Sequence, residues 1–144
     1  MSEITVNNRK PFGFYVCSIA FMLERAAYYA AKYLIFVFVT ATVLTGGLGL
    51  TKVEGALIQS NLVAFTYLAP VIGGYISDRY IGARYCVPVG LALMAVGYHF
   101  GATATDATGM NILVILVAIG TGLFKGNVAA ISGSLFKDKE QLDS

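Results

Sequence analysis

Four long apolar stretches, separated by short polar or glycine-rich connections, dominate the chain. They cover roughly residues 12–44, 55–76, 85–103 and 110–134, and a helix needs ~20 apolar residues to cross a bilayer. The connections fall at 46–49, 77–84 and 105–109. A transmembrane barrel would show segments of ~10 residues with alternating polarity, whereas these runs are continuous. The pattern predicts an all-α membrane protein with four transmembrane helices.

Composition supports a membrane protein and excludes several other classes. Hydrophobic residues make up 57% of the chain and charged residues 12%, whereas a soluble domain carries about 25% charged residues. The net charge of +2, with no basic cluster, gives no sign of a nucleic-acid partner. Cys17 and Cys86 lie inside apolar runs, which indicates buried thiols rather than a disulfide framework. The first apolar run is too long for a signal peptide, so no removable targeting segment is expected.

Lysine and arginine are distributed unevenly between the two sides of the predicted membrane. One side carries six of them, Arg9, Lys10, Arg79, Arg84, Lys137 and Lys139, and the other side carries only Lys52. Cytoplasmic loops are the ones enriched in these residues. Both termini are therefore predicted to be cytoplasmic.

The first segment contains three ionisable residues, Glu24, Arg25 and Lys32, although each charge at mid-membrane costs about 2.5–3.5 kcal/mol. On a helix, Arg25, Lys32, Tyr28 and Tyr29 fall within about 100° of one another, and Glu24 lies at the edge of this arc. In one interpretation Lys32 reaches the interface and Glu24 pairs with Arg25 for packing. The alternative, which we favour, is a water-filled functional cavity.

A second basic residue deep in the apolar sequence supports the functional interpretation. Lys125 lies about fifteen residues into the fourth segment, beside the close-packing pattern Gly122-x-x-x-Gly126. It needs a carboxylate partner, and Glu24 is the one acid within the four predicted segments. We hypothesise that Glu24, Arg25 and Lys125 form one exchangeable ion-pair cluster.

Enzymatic chemistry finds no support in the residues. No metal-ligand set, nucleophile with an adjacent base, or phosphate-binding glycine loop is present, so neither catalysis nor a cofactor is expected. A channel is less compatible with paired charges at mid-membrane than a transporter is. A small structural membrane protein of four helices remains an alternative.

Three separated motifs resemble one family, the proton-dependent oligopeptide transporters of the major facilitator superfamily. "ERAAYYAAKY" (24–33) resembles the second half of its first-helix signature, Glu-x-x-Glu-Arg-x-x-Tyr-Tyr. "GGYISDRYIGAR" (73–84) is similar to the superfamily motif between helices 2 and 3, and "GTGLFKGNVAAISGSLF" (120–136) resembles the family's fourth helix. The resemblance implies a fold of at least twelve helices, in which this chain supplies the first four as part of the N-terminal six-helix bundle.

The resemblance also implies a function and residue roles. The expected function is import of di- or tripeptides across the cell membrane by proton symport with alternating access, together with the remaining helices of the transporter. Arg25, Lys32 and Lys125 would meet the peptide carboxylate or hold Glu24, and a switch of Glu24, Arg25 and Lys125 would couple protons. Tyr28, Tyr29 and Tyr67 would line the site, with Asn127 as a further contact. In the gating loop Asp78 would cap a helix, while Arg79 and Arg84 would reach cytoplasmic partners.

The sequence departs from the family signature at two positions. Phe21 stands where the family has its first glutamate, and a phenyl ring cannot titrate. Lys32 stands where the family has an arginine, and lysine keeps the charge but loses the bidentate fork. Two alternatives therefore stay open: a family member that transports nitrate or another small solute, and a peptide facilitator without proton coupling.

Overall fold

The structure, a computed structural model, describes residues 11–135 and consists of four long helices joined by short turns. These are α1 (Phe12–Thr40), α2 (Lys52–Ile76), α3 (Ala83–Ala102) and α4 (Ala107–Ser134). No strand occurs within the described range. The predicted all-helical class is confirmed. Arg9, Lys10, Lys137 and Lys139, on which much of the predicted orientation depends, lie outside the described residues.

The first helix ends earlier than the apolar run that predicted it. Ala41 leaves the helical conformation with a ψ of 150°, so α1 stops at Thr40 rather than near residue 44. A short 3₁₀ turn, Val43–Thr45, follows and closes at Gly46, whose φ of 84° favours glycine. Hydropathy alone could not show this end, because the turn residues Val43 and Leu44 are as apolar as the helix.

Two acidic residues, Glu54 and Asp106, take part in capping the N-termini of helices. Glu54 forms a reciprocal capping box with Thr51 at the start of α2, in which each side chain accepts from the other residue's backbone N–H. Asp106 accepts from the backbone N–H of Gly109 at 3.0 Å and caps α4. At the N-termini of α2 and α4, side chains therefore satisfy some of the free backbone N–H groups.

The loop predicted over 77–84 is almost entirely helical, so that prediction is wrong. Helix α2 continues as a π-helical turn, Ser77–Ile81, and α3 begins two residues later at Ala83. Gly82 makes the change of direction with a φ of 84°. No side chain caps the start of α3, so the predicted capping by Asp78 is not made at that helix and stays a prediction for another one.

Helix α4 forms the centre of the bundle, and glycines let its neighbours approach closely. A Cβ on Gly73 of α2 would collide with the backbone of Gly122, and one on Gly90 of α3 with the carbonyl of Gly120. Gly126 faces open space, so the predicted 122–126 pair is used only at its first position. Close backbone contact of this kind is how helices associate within membranes.

Three helical stretches in the described range are long and apolar enough to cross a membrane, namely Lys52–Ile81, Ala83–Ala102 and Ala107–Ser134. Helix α1 has 29 residues, about 43 Å at 1.5 Å per residue, but is not among them. Its apolar character is interrupted by Glu24, Arg25 and Lys32. The integral-membrane character is confirmed, while a membrane-spanning α1 stays a prediction.

Candidate substrate and ion-pair site

Glu24 and Arg25 form a two-pronged ion pair on α1. Nε and Nη2 of Arg25 donate to the two carboxylate oxygens of Glu24, each at 2.6 Å. The Glu24 side chain is 3% exposed and that of Arg25 is 19% exposed. It is the one ion pair between side chains of residues 11–135. Such a buried pair tolerates the loss of neither partner, because the remaining charge would be left without compensation.

Aromatic rings flank the arginine of this pair. The guanidinium carbon of Arg25 lies 4.8 Å from the centroid of the Tyr28 ring and 5.9 Å from that of Phe21. Cation–π contacts of this kind add electrostatic attraction to the guanidinium. The Phe21 ring contributes this attraction without a titratable group, whereas Tyr28 carries a phenol.

Lys125 lies in a separate contact from this ion pair. Its Nζ is 5.5 Å from the centroid of the Tyr67 ring, which joins α4 to α2. No ion pair links Lys125 to Glu24 in the described part of the chain, since both carboxylate oxygens accept from Arg25. The predicted cluster is thus divided here into an ion pair on α1 and a lysine–tyrosine contact, and exchange between the two stays a prediction.

Tyrosines connect the two halves of the site. Tyr28 is buried and contacts Thr66 on α2, whose neighbour in sequence is Tyr67. The groups therefore follow one another from Arg25 through Tyr28 and Tyr67 to Lys125, across α1, α2 and α4. The structure thus brings together on three helices the residues that the sequence named separately.

Lys32 and Tyr29 lie at the outer edge of this arrangement. Gln59 of α2 donates from Nε2 to the backbone carbonyl of Lys32 at 3.1 Å, which fixes α1 against α2 at this point. The side chain of Lys32 is half-buried, and Tyr29 is exposed with its ring edge against Tyr28 at a centroid distance of 5.5 Å. The predicted contact of these two residues with a substrate stays a prediction.

Asn127 does not share the open environment of the other predicted site residues. Its side chain is buried, and Nδ2 donates to the backbone carbonyl of Leu123, one turn earlier on α4, at 2.6 Å. This geometry is that of a packing residue. The predicted substrate contact would require Asn127 to leave this position.

Comparisons with known proteins show which proteins this chain resembles. No family model matches the chain. A di-/tripeptide transporter of Lactococcus lactis subsp. lactis is 30% identical over 124 residues, covering 84% of this chain and 25% of the relative. Peptide transporter YePEPT of Yersinia enterocolitica subsp. palearctica is 31% identical over 119 residues, covering 81% and 23%. The chain spans about a quarter of the length of these relatives.

Solved structures give the same result. The crystal structure of peptide transporter POT in complex with sulfate matches with a TM-score of 0.86 and 29% identity, covering 92% of this chain and 27% of that one. A POT family transporter in complex with 5-aminolevulinic acid matches with a TM-score of 0.85 and 26% identity, covering 93% and 29%. Over most of its length, this chain is similar to peptide transporters of the POT family. The matched transporters have the major facilitator fold, as the motifs implied.

The predicted gating residues lie at the end of α2 and the start of α3. Asp78 and Arg79 are exposed in the π-helical turn, and Arg84 is exposed in the first turn of α3. Arg79 donates from Nη1 to the Tyr75 hydroxyl at 3.1 Å. Their exposure leaves the charges available, and their gating role stays a prediction.

Sequence reasoning missed two residues beside the candidate site. Thr66 contacts Tyr28, and its position directly before Tyr67 was the available signal. Tyr98 of α3 interacts electrostatically with Glu24 and Arg25. Nothing in the sequence pointed to Tyr98, because it lies in an apolar stretch without charged neighbours.

Proposed function

We propose that this chain forms part of a secondary transporter that imports di- and tripeptides by proton symport with alternating access. The observation that carries the proposal is the line of Arg25, Tyr28, Tyr67 and Lys125 across three helices of a chain similar to POT family transporters. The chain would supply four helices of the N-terminal six-helix bundle. The remaining helices of the transporter would provide the opposing side, because a site of this kind lies between two halves that move around it.

The basic residues suit the carboxylate end of a peptide. A peptide is a zwitterion, and removing its carboxylate from water is unfavourable unless fixed cations replace the lost hydration. Arg25, Lys32 and Lys125 would supply those cations, and Tyr29 and Tyr67 would supply hydroxyl groups at the exposed edge. The acid that binds the peptide amino group would come from the opposing half.

Glu24 is the residue on which proton coupling would depend. Protonation would neutralise the carboxylate that now accepts two hydrogen bonds from Arg25, and the guanidinium would become free to meet the substrate. A ligand or proton that favours one conformation in this way shifts the balance between inward-open and outward-open states. Phe21 cannot contribute a second titratable group, so Glu24 would act alone on α1.

The test is uptake of a labelled dipeptide by liposomes that contain the complete transporter, with and without an inward proton gradient. Accumulation that depends on the gradient would support the proposal. Equilibration without accumulation would indicate a facilitator and overturn the proton-coupling part. If no dipeptide entered, the peptide proposal would fail, and uptake of nitrate and other small anions would be measured next.

A further inference from the structure

A tyrosine on α3 faces the ion pair across a cavity and has no role in the mechanism proposed above. Tyr98 and Glu24 line the same cavity of about 360 Å³ between α1 and α3. Every other lining residue is an alanine, a leucine or a methionine. The carboxylate and the phenol are therefore the two polar side chains of an otherwise apolar space.

Packing fixes the position of the Tyr98 ring. The ring contacts the apolar cluster that contains Leu113 and Val114, and also a second cluster formed by Met94, Phe124 and Val128. Tyr98 is only partly exposed, and a buried phenol needs a hydrogen-bond partner.

Within the part of the chain that the structure describes, few charged or titratable groups surround the Glu24 carboxylate. On α1, Arg25 binds Glu24, and Tyr28 and Tyr29 interact with Arg25. From α3, Tyr98 interacts with both members of the pair. From α2 and α4, Tyr67 and Lys125 contact each other, and neither forms an ion pair with Glu24.

Release of Arg25 would leave Glu24 in need of a new partner. A protonated carboxyl group has a hydroxyl that must donate, and an unsatisfied donor in an apolar cavity is unfavourable. Tyr98 is the one polar side chain besides Glu24 among the described residues that line this cavity, and its hydroxyl can accept a hydrogen bond, which a guanidinium cannot. We propose that Tyr98 is a positioning residue of the proton switch, whose hydroxyl accepts a hydrogen bond from protonated Glu24 once Arg25 has left. This inference rests on the proposed function, in which Glu24 takes up the proton.

The variant Tyr98→Phe in the complete transporter tests this inference, because it removes the hydroxyl and keeps the ring. The pH of half-maximal proton-driven uptake should fall by about one unit, since loss of one buried hydrogen bond lowers proton affinity about tenfold. Tyr85→Phe is the matched control, because Tyr85 is exposed on the same helix, and its midpoint should not change. An unchanged midpoint for Tyr98→Phe would overturn the inference.

Two further measurements separate positioning from packing. In a Glu24→Gln background, which already removes the proton switch, dipeptide counterflow is measured instead of proton-driven uptake. Tyr98→Phe should leave the counterflow rate unchanged there, and a loss of rate would show a packing role and overturn the inference. Infrared titration of the Glu24 carboxyl group in purified protein, with Glu24→Gln subtracted, should show the same one-unit fall. The variant Tyr98→Gln, which restores a hydrogen-bonding group, should recover at least half of this one-unit fall in the titration midpoint.

The infrared titration does not depend on dipeptide transport. If wild-type protein fails to take up dipeptides, the proposed function fails, while the titration still decides whether Tyr98 stabilises protonated Glu24.

Discussion

Arg25 and Lys125 both lie beside tyrosine rings, but within residues 11–135 only Arg25 also has a carboxylate partner. Lys125 therefore has a charge available for a ligand. Substitution of Lys125 by Ala should lower kcat/KM for dipeptide uptake by about 10- to 100-fold, because a hydrogen bond to a charged group contributes about 1.5–3 kcal/mol. Lys52→Ala, at an exposed position, is the control. A change below twofold for Lys125→Ala would remove this residue from the site.

Asn127 should show the opposite behaviour, because its side chain is buried and bonded to its own helix. Substitution by Ala should destabilise the protein by about 1 kcal/mol, the usual net value of one hydrogen bond, and leave KM within about twofold. Thermal unfolding in detergent and uptake kinetics measure the two effects, with the exposed Asn61→Ala as control. A large increase in KM without loss of stability would restore the substrate contact.

At the scale of single residues, the sequence predicts which groups matter better than it predicts their contacts. Glu24 and Arg25 pair as expected, because they are adjacent and both are unfavourable alone in an apolar helix. The partner of Lys125 could not be derived, since no periodicity relates α4 to Tyr67 on α2. Asn127 follows Lys125 by two positions, and on a helix that spacing places the two on different faces.

At the scale of helices, α2 and α4 approach so closely at Gly73 that no side chain fits between them. Gly73→Ala should destabilise the transporter by about 1–3 kcal/mol, because the new methyl group would overlap the Gly122 backbone and force the helices apart. Gly126→Ala is the matched control, since its position is open and alanine favours a helix. Unfolding midpoints in detergent would compare them, and equal losses would contradict this packing.

Helix boundaries were predictable where polar side chains mark them and not where apolar residues form a turn. The residues Thr51 and Glu54 form a capping box that could have been identified from their spacing. The π-helical turn at Ser77–Ile81 could not, because its polar composition is typical of a loop. The charged residues of α1 that indicate a function also make this helix less apolar than the other three. For this reason α1 is not among the helical stretches apolar enough to cross a membrane.

At the scale of the whole molecule, the fold class followed from continuous apolar runs, whereas orientation depends on charges on both sides of the membrane. Helices α2, α3 and α4 are consecutive, so the Gly82 turn and the turn before α4 should lie on opposite faces. The exposed Arg79 and Arg84 lie beside Gly82, which predicts that this side is cytoplasmic.

Single cysteines introduced into the complete transporter would test this orientation, after Cys17 and Cys86 are replaced by alanine. Thr105→Cys should react in intact cells with a maleimide that cannot cross membranes, because residue 105 is exposed in the turn before α4. Tyr80→Cys, exposed in the π-helical turn, should react only after the cells are permeabilised. The reverse labelling would place the Arg79 side outside, and the basic residues there could then no longer act as a cytoplasmic gate.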